Sequence, residues 1–120
     1  MKLQHGHIYF VEFDPSSGHE FKKIRPAVLI SSDDLIKRSN LISCVPFTAN
    51  TNNVVATDDI LVKKDVSNNL FTDSILKTQH ISTFDKNRVK KFVGVLDSST
   101  LKNLKNLIIR NFDLIKTKPG

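Results

Sequence analysis

One cysteine, four glycines and no long apolar run are what this 120-residue chain has to work with, and each shortage removes a class of chemistry. Cys44 has no second thiol to pair with, so an intrachain disulfide is excluded and a zinc site would need other ligands. It lies within the apolar run Leu-Ile-Ser-Cys-Val, residues 41–45, where a buried, inert thiol is expected. The glycines at 6, 18, 94 and 120 form neither a P-loop nor a dinucleotide fingerprint. Four scattered histidines lack ligand spacing such as C-x₂-C or H-x₃-H, so no metal and no cofactor are expected. No segment approaches the roughly 20 apolar residues of a membrane span, and the N-terminus has no signal-peptide-like run. The expectation is a soluble cytoplasmic protein.

Acidic residues are also scarce, but only in one place. Residues 86–120 carry nine Lys/Arg against two Asp/Glu, whereas residues 1–85 carry nine against ten. The whole net charge of +6 therefore belongs to the last third, which suits a polyanion or an acidic protein partner. A solvated basic helix face would produce the same count. With 39% hydrophobic and 25% charged residues and no internal repeat or linker, the composition fits one globular domain over residues 1–120, its core about 5–115.

Along the chain, His7 to Phe13 reads as a strand with Glu12 pointing out, and Asp14 to Gly18 as a turn. The polar loop His19 to Ile24 runs into the strand Pro26 to Ser31, whose unbroken apolar run predicts burial on both faces. Ser32-Asp33 can cap a short helix to Arg38. Strand Leu41 to Phe47 ends at Thr48, and Pro46 implies an edge or a bulge. After the polar loop Thr48 to Asn53 come Val54-Val55 and short strands at Ile60–Val62 and Ser74–Thr78. Gln79 to Phe84 continues the latter strand or bends away, and a last strand runs from Val89 to Leu96. Asp97-Ser98-Ser99 caps a helix, Ser99 to Ile115, with an apolar stripe from Leu101 to Ile115. The fold class is α+β, mainly β: a small, strongly bent antiparallel sheet with a C-terminal helix.

Glu20, Arg25 and Thr48 would place a carboxylate, a guanidinium and a hydroxyl at the ends of two neighbouring strands, a site suited to chemistry on a phosphate. The segments Gly6-His7-Ile8-Tyr9-Phe10, Phe13-Asp14-Pro15, Gly18-His19-Glu20, Arg25-Pro26-Ala27-Val28 and Pro46-Phe47-Thr48 stand in the order and spacing of the MazF/PemK-type toxins. The chain resembles that family over nearly its whole length, most strongly in the first 50 residues. The resemblance implies the SH3-like barrel of the MazF/CcdB fold. It also implies a toxin that cuts single-stranded RNA without a metal, a homodimer, and a cognate antitoxin with an acidic flexible tail.

Carried over residue by residue, the resemblance makes Arg25 and Thr48 the phosphate-binding catalytic pair and Glu20 a proton acceptor or an orienter of the arginine. His19, Lys22, Lys23, Asn50, Lys77 and Gln79 become candidates to touch the RNA. The chain departs from the family at Leu76 to Asp85, where relatives carry an acid, a glutamine and an arginine. Aligned on Thr83 and Asp85, those places are held by Gln79, His80 and Ser82. An amide has no useful basicity, whereas an imidazole exchanges protons near neutrality, so His80 is the candidate acid or base. His5 and His7 are expected to be incidental. Two other classes remain open: a non-catalytic CcdB-like toxin, which needs no Arg25/Thr48 phosphate site, and an inactive SH3-like protein-binding module.

Overall fold

Strands with apolar residues at consecutive positions have two faces to bury, and three such strands form the centre of the fold. β1 (His7–Phe13), β2 (Lys23–Leu29) and β3 (Leu41–Thr48) pair antiparallel, side by side. One face presents Ile8, Val28, Val45 and Phe47, the other Tyr9, Ala27, Leu29 and Cys44, all closed to solvent. The structure, a computed structural model, describes residues 1–13, 23–49, 51 and 57–115.

β4 (Ile60–Val62), β5 (Ser74–Leu76), β6 (Ser82–Asp85) and β7 (Val89–Val95) complete a sheet of seven strands. The order is β4-β5-β3-β2-β1-β7, and β6 pairs the first half of β3. Among the described residues the path does not return from β7 to β4, so the expected barrel is an open one. A single 3-10 turn, Lys86–Arg88, capped by the Asp85 carboxylate, joins β6 to β7. Val54-Val55 lies outside the described residues.

α1 (Asp33–Arg38) is capped by the Ser32 hydroxyl, which accepts from the Leu35 N–H at 3.1 Å. α2 (Ser98–Asn111) lays Leu101, Leu104 and Ile108 on the first face of the sheet. Three expectations need correction. The second strand spans Lys23–Leu29 rather than Pro26–Ser31, because β1 extends the pairing to Phe13↔Lys23 and draws the preceding polar residues into the ladder. The helix stops at Asn111 rather than Ile115. Asp113 takes a left-handed φ of 55°, the Leu114 N–H donates to the Ile109 carbonyl (3.0 Å) and the Asp113 N–H to that of Arg110 (3.4 Å). That closure ends a helix, and it leaves Phe112 and Ile115 exposed instead of packed. Glu12 is not turned out to water either: its side chain is largely buried, with Arg88 at 3.8 Å and Lys90 at 4.0 Å.

Asp97 caps α2 by accepting from the Thr100 hydroxyl (2.7 Å) and N–H (2.9 Å). Those bonds, the hydroxyl first, hold its carboxyl below the ordinary aspartate value of 3.8. A lowered folded-state pKa means that the cap's stabilisation is complete above the ordinary value and is lost as pH falls through the lowered one. Asp97→Ala is therefore expected to lose about 1 kcal/mol of unfolding free energy near neutral pH. In urea denaturation the gap between wild type and variant begins to narrow as the pH drops below 3.8 and closes as it passes below the lowered value.

Candidate active site

β3 carries the hydroxyl of the site and changes neighbours along its length. Leu41 to Cys44 pair with β6, and Phe47 and Thr48 pair with Leu76 and Ile75 of β5. Between those ladders β3 advances three residues, from Cys44 to Phe47, while the partner chain uses six, from Leu76 to Ser82. Pro46 sits in the gap. It has no N–H to offer a neighbour, and its carbonyl accepts from the Lys77 N–H at 3.0 Å. The surplus chain is pushed out as a turn closed by the His80 N–H donating to the Lys77 carbonyl at 3.0 Å. The edge or bulge expected at Pro46 is thus a break in one ladder of a doubly paired strand, with the extra residues on the partner.

On its other side β3 meets β2 through Ala27↔Pro46, Val28↔Val45 and Leu29↔Cys44. That pairing ends at Ala27↔Pro46, and by alternation Arg25 and Thr48, each two residues past it, keep to the face of Ala27 and Pro46. Residues directly opposite in an antiparallel pair present their side chains on one face, here the face of Ala27, Leu29 and Cys44. Arg25 is a strand residue, opposite Val11 in β1, and not part of the preceding loop. Both Arg25 and Thr48 are partly buried.

The same face continues onto β5. Ile75 is opposite Thr48, and Lys77, two residues on, returns to the same side. The Lys77 ammonium lies 2.7 Å from the Asp59 carboxylate, whose side chain is only 6% exposed. Gln79 and His80 are exposed on the turn beside Pro46, two residues from Thr48 along β3. Lys23, also exposed, opens β2 opposite Phe13. Glu20, His19, Lys22 and Asn50 lie outside the described residues.

The fold thus brings Arg25, Thr48 and Lys77 to one face and sets Gln79 and His80 at its border. His5 and His7 serve the fold: His5 Nδ1 meets the Ser31 carbonyl at 3.1 Å, and the His7 ring packs on Phe92. Asp59 is the residue that sequence reasoning missed. Its only signal was the Asp58-Asp59 doublet ahead of a short strand, and nothing in the sequence pairs it with Lys77.

Among the described residues no three His, Cys, Asp or Glu side chains converge as metal ligands do, and no helix is long and apolar enough to cross a membrane. Part of the C-terminal basic excess is matched internally: Arg88 and Lys90 face Glu12, and Arg110 lies 3.6 Å from Asp58. Lys91, Lys102 and Lys105 remain exposed.

An open antiparallel sheet with a terminal helix, and a cation and a hydroxyl on one face near the ends of two neighbouring strands, fits the class of small toxins suggested by the motifs. Over residues 4–112 the chain matches the PemK-like, MazF-like toxins of type II toxin–antitoxin systems, and it belongs to that family. It is 28% identical over 106 residues to Endoribonuclease MazF of Staphylococcus saprophyticus, with 88% of each chain covered. Its fold is shared with MazF of Deinococcus radiodurans (TM-score 0.75, 17% identity, 92% of this chain and 96% of that one). It is shared too with a mycobacterial endoribonuclease in complex with its cognate antitoxin (TM-score 0.72, 13% identity, 97% of this chain and 100% of that one).

The one thiol stands apart from this chemistry. Burial pushes Cys44 up to about 12, and it is closed to solvent between Val45 and Ser43 on β3. A disulfide-exchange reagent is expected to leave the native protein unlabelled and to label one thiol per chain after denaturation. Rapid labelling of folded protein would contradict this placement.

Proposed function

We propose that this chain is the RNA-cleaving toxin of its type II pair, with Arg25 and Thr48 holding the scissile phosphate. The observation that supports it most is the β2/β3 pairing, which ends at Ala27↔Pro46 and leaves Arg25 and Thr48 just past it on the same face by alternation. Cleavage of RNA requires the ribose 2′-hydroxyl to lose a proton and attack the neighbouring phosphorus in line. The charge that grows on the phosphoryl oxygens must meet preset donors, and the departing 5′-oxygen must gain a proton. The guanidinium offers two donors in a fork that fits two phosphate oxygens, and the threonine hydroxyl donates a third. Donors fixed in advance lower the barrier because they need no reorganisation as charge develops.

Proton transfer falls to Glu20 and His80. The His80 imidazole stands on the exposed turn beside Pro46, within the same region of β3 as Thr48. Lys22, Lys23, His19, Asn50, Lys77 and Gln79 contact the RNA around the phosphate. The substrate is single-stranded, because only unpaired bases can be splayed out and read along their edges. Two copies of the chain form the working unit, with RNA in a groove across the dimer in the cytoplasm. The outcome is mRNA loss and arrested translation, and a cognate antitoxin relieves it. The exposed Lys91, Lys102 and Lys105 favour an antitoxin segment that is acidic and flexible.

The test is an end-labelled, long, varied single-stranded RNA incubated in EDTA with wild type, Arg25→Ala and Thr48→Ala. Discrete cuts by wild type are expected, with a loss of about 10²-fold or more in each variant, the scale of removing one preset donor. Folded wild-type protein that leaves such RNA intact would sink this reading and favour a toxin that acts by binding protein.

A further inference from the structure

We infer that Asp59 is a positioning residue of this site. It fixes the Lys77 ammonium on the sheet face of Thr48, at the β4 side of β5, as a preset cation for the RNA backbone beside the scissile phosphate. The inference rests on the Arg25/Thr48 reading and adds to it a residue from a different strand.

Placement comes first. Lys77 donates its backbone N–H to Pro46, so it stands diagonally across the ladder from Thr48, whose direct partner is Ile75. Diagonal neighbours in an antiparallel pair lie roughly 7–8 Å apart, and the ion pair draws the Lys77 ammonium from there towards β4. Extending the β4/β5 register by one residue from Ile60↔Leu76 puts Asp59 opposite Lys77, and the ion pair of 2.7 Å follows.

The two partners differ in exposure, and the difference has a direction. Asp59 is sealed at 6% exposure, whereas Lys77 keeps 21%. An ammonium has three donors, so one bond to a buried carboxylate aims it without using it up. Asp59 is itself held on firm ground. The neighbouring Asp58 accepts through its backbone carbonyl from the buried Thr78 hydroxyl. The Asp58 carboxylate also meets Asn111 at 3.1 Å and Arg110 at 3.6 Å at the end of α2. One short segment therefore clamps the Lys77–His80 turn to the helix.

Stability alone accounts poorly for the pair. Taking two charges out of water costs about as much as their attraction returns, and apolar replacements often hold as well. A fixed cation facing a phosphate site has a use that an apolar pair could not have.

The test compares Asp59→Asn, Lys77→Gln, Lys77→Arg and the exchanged variant Asp59→Lys/Lys77→Asp, each checked for folding by circular dichroism and thermal midpoint. On a short fluorogenic RNA, Asp59→Asn and Lys77→Gln are expected to lower kcat about tenfold while KM changes by less than about threefold. Lys77→Arg should keep most of the rate. The exchange restores an ion pair, so its midpoint should recover towards wild type while kcat stays low. Asp59→Asn that folds and cleaves at the wild-type rate would overturn the inference. So would an exchanged variant whose rate recovers along with its midpoint, and that arm decides the matter where the single variants unfold. Active wild type and inactive Arg25→Ala beside an unaffected Asp59→Asn would remove Asp59 alone. Inactive wild type would instead remove the nuclease reading.

Discussion

With no N–H on Pro46, the chain that pairs along that edge of β3 finds no donor there, and the layout around Thr48 follows from this break. The partner leaves the ladder after Leu76, makes the turn Lys77–His80, and rejoins at Ser82. Without the break, β5 and β6 would be one uninterrupted strand with alternate side chains buried. With it, Gln79 and His80 are lifted into solvent beside the strand that carries Thr48, and the Lys77 carbonyl and N–H are both committed to holding the turn. Polar residues beside Thr48 are thus displayed by an interruption in the sheet rather than by a long loop.

The rest of the sheet gives that interruption a fixed frame. β1, β2 and β3 are buried on both faces, so a slip of one residue would turn every side chain to the wrong side, and the register is held firmly. By alternation from that register Arg25 and Thr48 share a face. α2 closes one face, and α1 with Phe13 and Phe84 closes much of the other, where Phe13 and Phe84 meet edge to face. A cation and a hydroxyl at the end of such a strand pair lose little entropy on binding, since their backbone is already ordered.

Much of this was legible in the residues. The continuous apolar runs announced two-sided burial, Ser32 and Asp97 announced both helix caps, and Pro46 announced a disturbed ladder. The motifs pointed to the family and to Arg25 and Thr48. What could not be read depended on contacts distant in sequence. The start of β2 is set by its partner Phe13, and the end of α2 by the left-handed Asp113, a residue that gives only a weak stop signal. Asp59 escaped notice because its meaning lies in Lys77, on another strand, and a doublet of aspartates reads as an exposed turn until the register of β4 and β5 is known.

The most direct test of the central claim is the structure of the toxin bound to a short RNA carrying a 2′-deoxy nucleotide at the cleaved step, which can bind but cannot react. The scissile phosphate is expected on the β2/β3 face, with oxygens within hydrogen-bond distance of the Arg25 guanidinium and the Thr48 hydroxyl. An RNA whose scissile phosphate lies on another surface, with neither residue in contact, would contradict it.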